Sequence, residues 1–128
     1  MAGYEMKLVD RRRIARDTMA FLLGTSGSVY EFQAGQNADI VFADTPDGSS
    51  DISRTFSLAS SPNERGSVMI AMRMRATEFK NALDAAPYGT EFRVSRARGS
   101  FTLHRDVRRA AVFLAGGIGI TPMHSIIH

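Results

Sequence analysis

The run Arg54-Thr55-Phe56-Ser57-Leu58-Ala59-Ser60 carries a cation, an aromatic ring and a hydroxyl on either side of that ring. Alternate side chains of an extended segment share a face, so Arg54, Phe56 and Leu58 point one way and Thr55, Ser57 and Ala59 the other. A guanidinium forks onto phosphate oxygens, a ring offers a stacking surface, and a small hydroxyl donates to a heteroatom. A flat, anionic cofactor needs these three together. An ordinary strand with one inward ring has the same composition, so the weight of the motif depends on what accompanies it.

The rest of the composition narrows the chemistry. At 128 residues the chain is one domain's worth, too short for two complete domains. Sixteen basic against 13 acidic residues leave a net charge of +3, which suits an anionic small ligand or an acidic partner. The basic residues are scattered among acids and apolar strands and make no nucleic-acid footprint. With no cysteine, a disulfide framework, a thiolate metal site, a thiol nucleophile and a cysteine-ligated iron–sulfur cluster are excluded, so redox chemistry would have to come from a bound organic cofactor. His104, His124 and His128 lack metal-binding spacing, and the last two read as incidental. No serine, histidine and carboxylate arrangement points to hydrolysis. Residues 1–13 have no apolar signal-peptide core, and no run approaches a membrane span, so the expectation is a cytoplasmic protein without membrane or nucleic-acid partners.

The elements that must hold the motif follow in order. Residues 5–14 alternate loosely and residues 18–23 form a compact apolar run, which predicts an antiparallel pair. Gly24-Thr25-Ser26-Gly27-Ser28 is turn material, and Gly35 can turn the chain before a third strand over 38–43. A loop over 44–50, with Pro46 and Asp47-Gly48, leads into the strand of Arg54. Residues 67–75 place Val68, Ile70, Met72 and Met74 on one face with period two. Thr77 is a helix N-cap ahead of Glu78-Phe79-Lys80-Asn81-Ala82-Leu83, where Phe79, Ala82 and Leu83 follow helical spacing. Pro87-Tyr88-Gly89 ends that helix, and a sixth strand occupies 91–95. Many short antiparallel strands with one helix predict a closed barrel.

The last segment differs in kind. Ala110-Ala111-Val112-Phe113-Leu114-Ala115 reads as a strand buried on both faces. It runs into Gly116-Gly117-Ile118-Gly119-Ile120-Thr121-Pro122, with Pro122 suited to a first helical turn. Strand, glycine-rich turn and helix start open a nucleotide-binding βαβ unit, since glycines let phosphates approach backbone N–H groups.

With Arg54-Thr55-Phe56-Ser57 upstream, Gly116-Gly117-Ile118-Gly119-Ile120-Thr121-Pro122 downstream and Phe32-x-x-Gly35-Gln36 before the third strand, the chain resembles the ferredoxin–NADP reductase superfamily. The nearest likeness is to small bacterial FAD- and NAD(P)-dependent oxidoreductases. The resemblance implies a six-stranded antiparallel Greek-key barrel that binds FAD over residues 1–106. Residues 107–128 would be the first strand, turn and helix start of an incomplete NAD(P)-binding domain. By position, Arg54 would bind the pyrophosphate, Phe56 would stack on the isoalloxazine, and Ser57 would hydrogen-bond near the flavin N5 as the one residue at the reacting atom. Thr55 belongs to the same binding strand. Backbone of Ala71, Met72, Arg73 and Met74 would line the flavin and ribityl edge. The helix start at Thr77, Glu78, Phe79 and Lys80 would receive phosphates, and Gly116, Gly117 and Thr121 would face the nicotinamide side. Phe56 stands where the family more often has tyrosine, and Arg96-Ala97-Arg98 replaces a more apolar turn.

The function this implies is an electron-transfer module of an NAD(P)H-dependent flavoprotein reductase. Electrons would pass from NAD(P)H through FAD to a protein such as a ferredoxin or to a metal centre, with this length of chain poorly active by itself. The alternative is a noncatalytic flavin- or nucleotide-binding barrel with a regulatory or interaction role. The apolar 110–127 stretch is expected to pack back on the barrel, pair with a second copy as a homodimer, or be disordered.

Overall fold

The computed structural model describes residues 3–43 and 53–128. The loop expected over 44–50 lies outside them. Six strands form one antiparallel sheet: β1 (Tyr4–Ala15), β2 (Thr18–Thr25), β3 (Asn37–Phe42), β4 (Ser53–Ser57), β5 (Ser67–Arg73) and β6 (Glu91–Val94). Their spatial order is β4-β3-β6-β1-β2-β5. Two hairpins, β1–β2 and β3–β4, are therefore joined by β6, which pairs with β1 on one side and β3 on the other. This is the expected Greek-key barrel with one amendment: no ladder joins β4 to β5, so the ring stays open there.

Period-two patterning accounts for the core. Met6 and Leu8 of β1, Val68, Ile70 and Met72 of β5, and Phe92 and Val94 of β6 are buried while most of their neighbours in sequence are not, Ala71 and Ser95 being the exceptions, as alternation on a half-covered sheet requires. A register shift between Leu8 and Asp10 breaks the alternation in β1 and lets the long hairpin bend around the interior. Ser67 to Arg73 is two residues shorter than the run read from sequence. Met74 still packs on the core, its N–H bonded to the Asp17 carbonyl at 2.6 Å.

Helix α1 (Glu78–Ala85) plugs one end. Thr77 caps it by accepting the Lys80 N–H at 3.3 Å, and Phe79 and Leu83, four residues apart, turn inward. Ala82, grouped with them by spacing, is exposed. The Phe79 ring meets Phe42 at 5.4 Å and Phe56 at 5.7 Å, so one aromatic side chain joins helix, β3 and β4.

The C-terminal segment departs from expectation. Residues 110–115 form no strand; Val112 and Leu114 are largely exposed. A strand buried on both faces needs neighbouring strands and covering helices, and none stands beside it among the described residues. After a 3₁₀ turn (Gly117–Gly119), helix α2 (Ile120–Ile127) packs back on the barrel. It does so with its polar side: Thr121 and Ser125 are buried and Ile127 is exposed. The Ser125 hydroxyl donates to the Ser60 carbonyl at 2.6 Å, and His124 Nδ1 meets the Ala59 carbonyl at the same distance. His128 lies 3.3 Å from the Glu64 carboxylate. The two histidines read as incidental thus anchor the helix.

Gly35 marks where three segments converge. Its φ is +100°, and a Cβ there would fall 1.8 Å from the Phe101 carbonyl oxygen and 3.2 Å from Ile126 of α2. Gly27 has φ +74° but open space around it. Gly27→Ala is expected to cost only the left-handed conformation, about 1 kcal/mol. Gly35→Ala adds overpacking and should cost at least ~2 kcal/mol more. Equal midpoints for the two variants in thermal denaturation would refute the convergence at Gly35.

Candidate functional site

The opening between β4 and β5 is where the candidate residues gather. At one end the seam is pinned: the Ala59 N–H donates to the Met69 carbonyl at 2.8 Å, and the Met69 N–H to the Ser60 hydroxyl at 3.0 Å. Backbone groups alternate in direction along a strand. Since Met69 faces the seam, so do the main-chain groups of Ala71 and Arg73; since Ala59 does, so do those of Ser57 and Thr55. The Leu58 N–H, on the other alternation, bonds the Gln36 carbonyl at 3.0 Å on the far side. Beyond the pin, two strand edges therefore present donors and acceptors to each other across a gap.

That gap is a cavity of about 610 Å³. Thr55, Phe56 and Ser57 line it from β4, and Ala71, Met72 and Arg73 from β5; Lys80 comes from α1, Gly116 and Gly117 from the glycine-rich turn, and Thr121 from the start of α2. Ten positions assigned by resemblance are thus brought together. Arg75, Ile118, Gly119 and Pro122 also line it. The glycine-rich turn could have announced three of these, whereas Arg75 follows only from where β5 ends.

Five assigned residues lie outside the lining. Arg54 is exposed, and its guanidinium bonds the Ser53 carbonyl at 2.9 Å. Met74 packs on the core. Thr77 and Glu78 sit at the start of α1, with the Thr77 hydroxyl already engaged in capping. The Phe79 side chain is fully buried beneath Phe56, so it supports the pocket rather than facing it. Phe56 itself is half-buried, packing on the core with one part and lining the cavity with another.

The electrostatics of the cavity favour an anion. Arg73, Arg75 and Lys80 line it, and none of them has a carboxylate partner among the described residues. Partial desolvation, with Arg75 and then Arg54 nearby, holds the Lys80 ammonium below its ordinary pKa. Its Nζ is steered by the Arg73 carbonyl at 2.5 Å. Like charges gathered this way repel until a negative group comes between them. The glycines add room: a Cβ at Gly116, Gly117 or Gly119 would meet no protein atom, leaving bare backbone along the cavity wall. Main-chain donors, a half-buried ring, three cations and a bare turn fit a flat heterocycle carrying phosphates.

One polar network supports the β4 side. Asp39 on β3 takes hydrogen bonds from Arg98, at 2.8 Å, and from the Thr55 hydroxyl. Arg98 also reaches the Ser95 hydroxyl at 3.3 Å, and that hydroxyl accepts the Asp39 N–H at 2.9 Å. Arg98, in the stretch that replaces a more apolar turn of the family, is the partner of a residue 59 positions away. The Arg98 bond first, and the Thr55 bond next, pull the Asp39 carboxyl below the usual aspartate range.

No protein-family model matches the chain. Phthalate dioxygenase reductase of Burkholderia cepacia is 32% identical over 126 residues, covering 94% of this chain and 37% of that protein. A solved phthalate dioxygenase reductase, described as a modular structure for electron transfer from pyridine nucleotides to [2Fe–2S], superposes with a TM-score of 0.76 at 32% identity, over 98% of this chain and 38% of its own. The solved Amycolatopsis cytochrome P450 reductase matches with a TM-score of 0.82 at 26% identity, again over 98% of this chain and 38% of that one. The chain therefore spans little more than a third of the length of these relatives.

The lowered Asp39 pKa fixes a sign. A carboxyl whose folded pKa lies below its unfolded value of ~4 contributes stability above that value and loses it as pH falls through the folded pKa. Asp39→Asn should therefore lower stability at neutral pH and flatten its decline in acid, read as urea midpoints between about pH 3 and 7. A variant whose decline parallels the parent's would remove Asp39 from the acid response.

Proposed function

Because the chain belongs to the ferredoxin–NADP reductase superfamily, we propose that it is the flavin-holding module of an NAD(P)H-dependent reductase, with FAD seated in the open seam between β4 and β5. The observation that carries this reading is the seam itself: two facing strand edges with a ring, hydroxyls and cations that have no carboxylate partner among the described residues, around a cavity of about 610 Å³. In the whole protein, residues 1–106 would form the FAD barrel, and residues 107–128 would begin the NAD(P) domain.

FAD, when bound, supplies the conversion between two-electron hydride chemistry and single-electron transfer. The chain's own residues do the holding. Phe56 offers its ring face to the isoalloxazine, backed by Phe79. Ser57 places its hydroxyl as a donor to the reacting nitrogen, while Thr55 is held in place by Asp39. Main-chain groups of Ala71 and Arg73 complement the polar edge of the heterocycle, and Met72 closes the wall between them. Lys80, Arg73 and Arg75 balance the phosphates, joined by the N–H groups at the start of α1 near Thr77 and Glu78. Arg54, beside this group, would swing from the Ser53 carbonyl onto a phosphate oxygen. Gly116, Gly117 and Thr121 stand where a nicotinamide would approach. No side chain needs to act as acid or base in hydride transfer.

The direction of electron flow rests on kinship. A relative is described as carrying electrons from pyridine nucleotides to [2Fe–2S], and a comparable acceptor, a ferredoxin-like protein or metal centre, is proposed for the whole protein here. The segment 110–115 has no sheet around it among the described residues, so nicotinamide nucleotides should bind this length of chain weakly or not at all.

Reconstitution with FAD should give a yellow complex with flavin absorption bands, and heat release followed by mass measurement should return FAD. Lys80→Met should raise its Kd about tenfold, the loss of one charge-assisted contact. A colourless protein that takes up no flavin would sink the proposal and favour a noncatalytic nucleotide-binding barrel. Tight binding of NADH or NADPH would overturn the statement about the second nucleotide.

A further inference from the structure

The C-terminal end of α1 lies away from the cavity and is held by a residue far from it in sequence. The helix has no basic residue in its last turn, yet its final carbonyls are not left to solvent. Arg11 of β1 reaches them: Nη1 donates to the Asp84 carbonyl at 2.5 Å, and Nη2 to the Ala86 carbonyl and, at 3.5 Å, to that of Leu83. The guanidinium also lies 5.4 Å from the centre of the Tyr88 ring, whose hydroxyl meets Asp10 at 3.4 Å. Its Nε is buried and faces no acceptor among the described residues. Two nitrogens are committed to the helix end even though the third goes unanswered.

The structure assigns Arg11 a positioning role: by clamping the last turn of α1 from the stretch of β1 that pairs with β2, it fixes where the helix presents Lys80 to the cavity. An eight-residue helix is marginal by itself and takes its order from tertiary contacts. Unsatisfied carbonyls at its end carry partial negative charge, which a cation in line with the axis neutralises. Phe79 is held by the core rings. Lys80 is bonded on its N-terminal side to the Thr77 cap and, through Nζ, to the Arg73 carbonyl, while its own carbonyl closes the turn that Arg11 clamps, since a helical carbonyl accepts from the N–H four residues on. Loosening that turn shifts the stem from which the ammonium reaches the cavity and leaves the aromatic floor in place. Lysine cannot replace this clamp in full, because one ammonium does not match a fork of three carbonyls.

This inference rests on the flavin reading above, and its test separates the two. Flavin affinities of parent, Arg11→Met, Lys80→Met and the double variant are measured for FAD and for riboflavin, which has no phosphate. Arg11→Met should weaken FAD about tenfold and change riboflavin by less than about twofold. The double variant should bind FAD no worse than about twofold beyond Lys80→Met alone, since both changes remove one contact. Arg11→Lys, which keeps the stem and the charge, should show the same selective loss at about threefold and decides the question if Arg11→Met does not fold. Equal losses for FAD and riboflavin, full additivity with Lys80→Met, or unchanged FAD affinity would each overturn the role of Arg11 while leaving flavin binding intact. A parent chain that binds neither flavin overturns both.

Discussion

Everything at the site depends on how the barrel fails to close. Five ladders link the strands from β4 round to β5; in place of a sixth there is the bond from Ala59 to Met69 and its neighbour from Met69 to the Ser60 hydroxyl. That short pin sets the spacing of the two margins, and so determines how wide they stand where Thr55, Ser57, Ala71 and Arg73 face each other. It also serves a second element. The carbonyls of Ala59 and Ser60 receive His124 and Ser125 of α2, so the residues that pin the seam also hold the glycine-rich turn against its open end.

The aromatic arrangement works with the pin. Phe79 enters from the helix and meets rings on both β3 and β4. A large, fully buried ring at that junction fixes the depth of the cavity floor, because a well-packed interior cannot yield by a methylene without cost. Phe56 shares its surface between that packing and the opening. One ring thus serves as core packing and as cavity wall at once.

Much of the architecture was legible because it is written locally. The alternation over residues 67–75, the Thr77 cap with Phe79 and Leu83, and the glycine cluster at 116–119 each act within a few residues, so spacing alone exposes them. Relations across the chain were not legible. Nothing near Asp39 announces Arg98, nothing near Arg11 announces the end of a helix more than seventy residues later, and α2 has an apolar composition that hides its polar contact face. Arg54 shows the intermediate case: its type and place suited a phosphate, but its side chain rests on its own strand. Local pattern gives the element and its face; the partner is set by topology.

Unpaired strand margins are the surfaces through which β proteins recruit foreign strands and aggregate. Here they face each other across a narrow interior opening, sheltered by α1 on one side and the glycine turn on the other. A molecule lodged between them would occupy the hydrogen-bonding groups that an intruding strand needs. Such a molecule would stand in for the missing rung of the barrel and leave an intruding strand nothing to pair with.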